Sequence, residues 1–335
     1  MISKAPAANC AGKRSNAQRE SKKKMRKFNL KGTVIQRMKG IERETPKAPE
    51  DEKEQQNGNP EMSAGFTSGQ GVLTYAWRTD VGRLRKNNQD AVILGNGLAG
   101  VADGMGGHKG GEIASAGLRD GLLRETKDAE PDVQTLEKAV QKVNTELWER
   151  QKNDASLSGM GTTLTVIWPK EKEMIIGQVG DSRAYLLRDG KLTQVTNDHS
   201  MVADMVRKGV LTEEQAACHP MRNYITRAVG TEAVIEVDLS VHDRKQGDRW
   251  LICSDGLHGT VFGEELIRLM SLENLEDAAE QMLQAALAGG GKDNISLILL
   301  HDDTEYTDPE EKETEEPETA ASPDEEASDE EVNCP

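Results

Sequence analysis

Residues 174–192 read MIIGQVGDSRAYLLRDGKL. Two short apolar runs, Met174–Val179 and Ala184–Leu187, flank Gly180-Asp181-Ser182-Arg183, and Asp189-Gly190 interrupts the chain before Leu192. An Asp-Gly pair between apolar flanks is a hairpin signal, so neighbouring strands here should run antiparallel. Working outward, runs of strand length recur at Val72–Trp77, Ala91–Leu94, Leu98–Ala102, Thr163–Trp168, Val234–Val241, Trp250–Cys253 and Ile295–Leu300. Helical spacing occupies Glu112–Glu125, Val133–Gln151, Met201–Lys208 and Leu275–Ala288. Strands outnumber helices and hairpin-length gaps dominate the second half. The pattern predicts an α+β fold of antiparallel sheets covered by helices, not a doubly wound parallel sheet.

Charge divides the 335 residues in three. Residues 1–40 carry 12 basic side chains against Glu20, and residues 302–335 carry 16 acids against Lys312. Both ends are poor in apolar residues and cannot offset the entropy of ordering. The expected organisation is a basic, disordered extension and linker over 1–70, a folded domain over 71–302 and an acidic, disordered tail over 303–335. The basic end reads as a solvated extension, with an anionic-surface contact or a transit peptide as alternatives, and Met62 is an alternative start. A net charge of −16 disfavours a nucleic-acid binder. Cys10, Cys218, Cys253 and Cys334 are scattered, which argues for a reducing compartment and a cytoplasmic protein. No apolar run is long enough to span a membrane.

Several familiar motifs fail. Gly289-Gly290-Gly291-Lys292-Asp293 lacks the hydroxyl and the leading glycine of a nucleotide-phosphate loop, and Gly104-Met105-Gly106-Gly107-His108-Lys109 lacks the third glycine of a dinucleotide fingerprint. Neither HExxH nor GxSxG occurs. What remains is a set of aspartates at strand ends: Asp90 before Ala91–Leu94, Asp103 after Leu98–Ala102, Asp181 after Met174–Val179, Asp255 after Trp250–Cys253 and Asp293 before Ile295–Leu300. In antiparallel sheets the start of one strand lies beside the end of its neighbour, so these carboxylates can meet at one edge. An Asp-Gly is ordinarily a turn, and Asp181 has the alternative of pairing with Arg183. Carboxylates gathered at a buried edge are costly without positive charge among them. Mg²⁺ and Mn²⁺ favour such oxygen ligands, and the absence of His and Cys argues against zinc.

Six short motifs occur in order: Arg85-Lys86-Asn87-Asn88-Gln89-Asp90, Val101-Ala102-Asp103-Gly104-Met105-Gly106-Gly107-His108, Gly161-Thr162-Thr163, Gly180-Asp181-Ser182-Arg183, Cys253-Ser254-Asp255-Gly256 and Gly290-Gly291-Lys292-Asp293-Asn294. Over roughly Tyr75 to Asp302 the chain resembles the metal-dependent type-2C Ser/Thr protein phosphatases in their compact bacterial form. The resemblance implies a four-layer α-β-β-α sandwich of two antiparallel sheets, with a small flap subdomain over about 197–230. It implies hydrolysis of phosphoserine and phosphothreonine by a hydroxide bridging two Mn²⁺ or Mg²⁺ ions. Asp103 would bridge the ions with help from the Gly104 carbonyl, Asp255 and Asp293 would complete the first ion's shell, and Asp90 would support the second. Asp181 would hold a weaker third ion and Arg85 the substrate phosphate. Met105 stands where many relatives have His, leaving His108 as a candidate proton donor, and Gln89 stands where many have Glu. A monomer acting on phosphoproteins of a Hanks-type kinase is the expected setting. A partner-switching phosphatase with one dedicated phosphoprotein, or a non-catalytic pseudophosphatase, are the alternatives.

Overall fold

The run Ile295–Leu300 lacks the polar alternation of a half-exposed strand because both its faces are covered. Ile295, Leu297 and Leu299 pack beneath helices, while Ile298 and Leu300 face a second sheet. Leu251 and Cys253 lie on the helix side of the neighbouring strand, Trp250 and Ile252 on the other. Across the interface, Leu98 and Ala102 face a different helix pair, while Ala99 and Val101 face the first sheet. Double burial requires near-continuous apolar runs, and a layer of helices outside each sheet follows from it.

The computed structural model describes residues 71–106 and 110–306, together with two short strands, β1 (Ile35–Gln36) and β2 (Gly65–Ser68). One sheet contains β3 (Gly71–Asp80), β9 (Arg183–Arg188), β10 (Lys191–Gln194), β13 (Arg249–Cys253) and β14 (Ile295–Asp302), in the order β10-β9-β13-β14-β3-β2. The other contains β4 (Asp90–Gly95), β5 (Leu98–Met105), β7 (Leu164–Lys170), β8 (Glu173–Val179) and β12 (Asp238–Asp243), in the order β12-β8-β7-β5-β4. The short strand β6 (Gly161–Thr162) pairs with β5, and β11 (Tyr224–Ile225) pairs with β1. Pairing is antiparallel throughout. Helices α1 (Gly110–Glu125) and α2 (Val133–Asn153) cover the second sheet. Three more, α5 (Asp255–His258), α6 (Gly263–Met270) and α7 (Leu275–Ala288), cover the first. The stretch expected as a flap carries α3 (Met201–Arg207), α4 (Glu213–Ala217) and β11.

The α-β-β-α arrangement is the one expected. Asp189 and Gly190 both adopt positive φ, 53° and 74°, as the tight hairpin between β9 and β10 requires. Three differences have physical causes. The strand expected at Val234–Val241 forms instead at Asp238–Asp243. Gln141 donates to the Ile235 carbonyl and Asn144 to those of Glu232 and Ala233, so α2 claims the backbone that a strand would have used. The first sheet already includes β2, inside the stretch read as linker, because residues 65–68 pair with residues 71–74 of β3. Inside the expected basic extension, β1 pairs with β11. The rest of that extension, the remaining linker, His108 and the acidic tail beyond residue 306 lie outside the described residues.

A buried ion pair joins the two sheets at the end of β14 remote from Asp293. Arg244 follows β12 and donates from Nε to Asp302 Oδ2 at 2.8 Å and from an η nitrogen to Oδ1 at 3.1 Å. Both side chains are fully buried. A further η nitrogen reaches the Glu171 carbonyl, and Tyr306 donates to Asp302 Oδ2 at 2.9 Å. Removing one partner strands a charge in the interior. Arg244→Ala should therefore cost about 3–5 kcal/mol, read as a lowered Tm. Unchanged stability would mean that this end of the sandwich opens readily to water.

Candidate active site

Asp90 opens β4 and Asp103 lies near the end of β5, and the antiparallel register sets them directly opposite one another. Neither of the two Asp-Gly pairs at the strand ends is a turn. Asp103-Gly104 continues β5, and Asp255-Gly256 begins α5. A Cβ on Gly104 would lie 2.1 Å from the Gly111 carbonyl oxygen, and one on Gly256 would lie 2.0 Å from the Asn294 carbonyl oxygen. Glycine is thus required at both places by close packing of backbone on backbone.

A lattice of hydroxyl and amide groups holds this edge. The Asp103 amide donates to Thr163 Oγ1 at 2.9 Å, and the Thr163 amide donates to the Asp103 carbonyl at 2.9 Å. Having accepted that bond, the Thr163 hydroxyl has its own proton to give to Ser182 Oγ, 2.7 Å away. One buried hydroxyl pair therefore ties the Asp103 strand to the turn that carries Asp181. Ser254 caps α5 and donates from Oγ to Asp90 Oδ2 at 2.8 Å, while the Ser296 amide donates to Ser254 Oγ at 3.0 Å. Asn294 pins the loop before β4, accepting from the Gln89 amide and donating to the carbonyls of Val81 and Asn87. Arg85, on that loop, donates to Asp293 Oδ2 at 2.8 Å.

The fold thus brings Asp90, Asp103, Asp255 and Asp293 to neighbouring strand ends, with Asp181 attached through Ser182 and Thr163. Among the described residues, no three acidic, imidazole or thiol side chains are turned closely enough together to ligate one ion. Like charges turned inward repel, and Arg85 draws Asp293 aside. The expected alternative for Asp181 is corrected: Arg183 grips Asp198 with both arms of its fork, at 2.9 and 2.8 Å. Sequence reasoning quoted Thr163, Ser182, Ser254 and Asn294 inside motifs without giving them roles. Their roles come from partners far away in the chain.

The residues suit a hard divalent cation. Their side-chain donors are oxygens. Asp90 Oδ1 is buried without a hydrogen-bond partner in the protein. Burial pushes the Asp90 carboxyl up to about 7; the bonds from Ser254 and Ser296 oppose the rise, and the charges of Asp255 and Asp293 add to it. A carboxyl held this way gains from a nearby positive charge.

A family model for protein phosphatase 2C matches residues 84–298, more than half of the chain. The chain belongs to the protein phosphatase 2C family. The serine/threonine protein phosphatase PstP of Mycobacterium tuberculosis is 40% identical over 231 residues, which are 68% of this chain and 45% of that protein, so the chain spans under half of that relative's length. The serine/threonine phosphatase stp of Listeria monocytogenes is 37% identical over 239 residues, 68% of this chain and 95% of that one. Among solved structures, the catalytic domain of PstP in complex with two manganese ions matches with a TM-score of 0.64 at 37% identity, over 69% of this chain and 98% of that one. The phosphatase Stp1 of Staphylococcus aureus matches at 0.65 and 34% identity, over 72% and 98%. These relatives are named serine/threonine phosphatases, and one of the matching structures holds two manganese ions.

The raised Asp90 carboxyl predicts a pH effect on the metal-free protein. A folded-state pKa above the unfolded value, about 3.9, gives stability that is complete below that value. It is lost as pH rises through the folded pKa. In EDTA the protein should lose stability between about pH 4 and pH 7, by no more than about 1.4 kcal/mol per pH unit, read as a falling Tm. Asp90→Asn should flatten this slope and melt above the native protein at pH 8, with little difference near pH 4. Parallel curves for the two proteins would show that Asp90 does not titrate in this way.

Proposed function

We propose that the chain hydrolyses phosphoserine and phosphothreonine in proteins, using two Mn²⁺ or Mg²⁺ ions held at the aspartate edge, as a monomeric cytoplasmic enzyme opposing a Hanks-type Ser/Thr kinase. The observation that carries this reading is the register that sets Asp90 opposite Asp103, with Ser254 reaching Asp90 from the start of the helix that carries Asp255. Asp103 with the Gly104 carbonyl would help hold both ions, Asp255 and Asp293 the first, and Asp90 the second. Asp181 would serve a weaker third ion beside them. When bound, the ions supply positive charge against the phosphomonoester dianion and a water of lowered pKa.

The chain's own residues supply the rest. Arg85 offers a planar fork to two phosphate oxygens, a geometry that lysine lacks. Its present partner is Asp293, so the guanidinium must divide its donors between that carboxylate and the phosphate. The Thr163 hydroxyl holds the Asp103 backbone in place, and the Ser254 hydroxyl holds the Asp90 carboxylate, as charge builds on the substrate. Water enters, the ester oxygen leaves with a proton as the free hydroxyl, and inorganic phosphate remains. Asp103, Asp255 and Asp293 are all present, which favours this reading over a pseudophosphatase. Hydrolysis of unrelated phosphopeptides would separate it from a regulator dedicated to one phosphoprotein.

The full chain should hydrolyse a phosphothreonine peptide with Mn²⁺ and stop with EDTA. Asp103→Asn should lower kcat by at least about 10³-fold, the upper range for losing one electrostatic stabiliser. Turnover that survives exhaustive chelation, or native rates in Asp103→Asn, would place the chemistry elsewhere.

A further inference from the structure

Asp181 sits in a turn gripped from three directions. Gly180 enters it at φ 103°. From the sheet side, Gln178 donates to the carbonyls of Gly180 and Ser182, at 3.0 and 2.8 Å, and its own amide oxygen accepts from Thr165. From the adjoining helix, His258 Nε2 lies 3.0 Å from the Asp181 carbonyl. The third grip comes from the head of the 197–230 segment. The Gly180 amide donates to His199 Nδ1 at 3.0 Å, and the His199 amide donates back to the Gly180 carbonyl at 2.8 Å. Next in sequence, Asp198 takes the fork of Arg183. The residues on either side of Asp181-Ser182 are thus tied to two consecutive residues, Asp198 and His199.

His199 is buried, and its ring has a second attachment. Burial lowers its affinity for a proton, so it is a neutral ring whose Nδ1 accepts and whose Nε2 carries the hydrogen. Nε2 lies 3.0 Å from Asp238 Oδ2, and an Arg227 η nitrogen binds the other oxygen of the same carboxylate. The His199 carbonyl accepts from the Thr226 amide at 2.8 Å, near the far end of the segment. The His199 imidazole therefore connects the Asp181 turn to the first residue of β12, while its backbone joins the two ends of the segment.

We propose that His199 is a positioning residue: it fixes the Gly180-Asp181 turn to the 197–230 segment, so that the seating of this segment sets the aim of the Asp181 carboxylate. This rests on the reading of Asp181 as a carboxylate that works in phosphopeptide hydrolysis. Substrate-dependent movement of the segment would then be transmitted to turnover through the His199 ring beside the backbone bond and the Arg183–Asp198 pair.

The two nitrogens can be tested separately. In His199→Asn the side-chain oxygen stands in for Nδ1 and keeps the Gly180 bond. In His199→Gln the polar group lies nearer Nε2 and the Gly180 amide loses its acceptor. Expected with the full chain at saturating Mn²⁺ is a loss of kcat of about 10–100-fold on a phosphothreonine peptide for His199→Gln, the scale of a small misplacement, with KM little changed. The effect on p-nitrophenyl phosphate should be smaller, because its good leaving group needs less proton donation. His199→Asn should stay close to the native protein. On the Asp181→Ala background, His199→Gln should cost nothing further. Amide hydrogen exchange of the metal-free protein gives a readout independent of turnover: residues 180–183 should exchange faster in His199→Gln and stay protected in His199→Asn. If His199→Gln does not fold, Asp238→Ala, which removes the half-exposed carboxylate shared by His199 Nε2 and Arg227 and leaves the Gly180 bond in place, should show the same pattern more weakly. Additive losses in the double variant, native exchange and kcat in His199→Gln, or native behaviour in Asp238→Ala where His199→Gln does not fold, would overturn the proposal. Native peptide turnover in Asp181→Ala would instead overturn the reading of Asp181, while the exchange data would still decide whether His199 holds the turn.

Discussion

The structure is organised around one uncomfortable arrangement: carboxylates gathered at the ends of strands that are buried on both faces. Asp90 faces Asp103 across a ladder, and its inner oxygen has no protein partner. Water would relieve this on an open sheet. Here the Ser254 hydroxyl donates to Asp90 and is itself held by the Ser296 amide, while the Thr163 hydroxyl accepts from the Asp103 backbone amide. A small positive ion held at this edge would offset the cost of that burial.

The sandwich explains why the edge cannot relax. With helices outside both sheets, β5, β13 and β14 have no solvent face onto which a carboxylate-bearing end could turn. Gly104 and Gly256 bring backbone into direct contact at the base of the site, so the two aspartates beside them are placed by packing. The Arg244–Asp302 pair closes the far end of the sheets. The 197–230 segment is attached differently. Its contacts with the Asp181 turn are polar and concentrated in Asp198 and His199, which suits a part that adjusts against a rigid floor.

Much of this was legible in the sequence because it is carried by local pattern. Continuous apolar runs mark eight of the strands where they form, and Asp189-Gly190 marks the hairpin. The aspartates could be placed at one edge because antiparallel order puts strand starts beside strand ends. The strand expected at Val234–Val241 begins only at Asp238, because the Ile235 carbonyl is taken by Gln141, roughly ninety residues earlier in the chain. The helices α4 and α5, of five and four residues, are too short for helical spacing to stand out. The supporting hydroxyls were invisible for the same reason as the late start of that strand. The bond from Ser254 to Asp90 spans 164 residues, and no local pattern marks a serine as the partner of a distant carboxylate. Similarly, the nearest cation in sequence to Asp181 is Arg183, yet its fork goes to Asp198.

The central claim is that the carboxylates at this edge hold the ions. Anomalous difference density collected at the manganese absorption edge from crystals grown with Mn²⁺ tests it directly. The account predicts two strong peaks within ligand distance, about 2.0–2.6 Å, of oxygens from Asp103, Asp255, Asp293 or the Gly104 carbonyl, with Asp90 beside one of them. Strong peaks confined to other acidic residues, with none at Asp103, would contradict it.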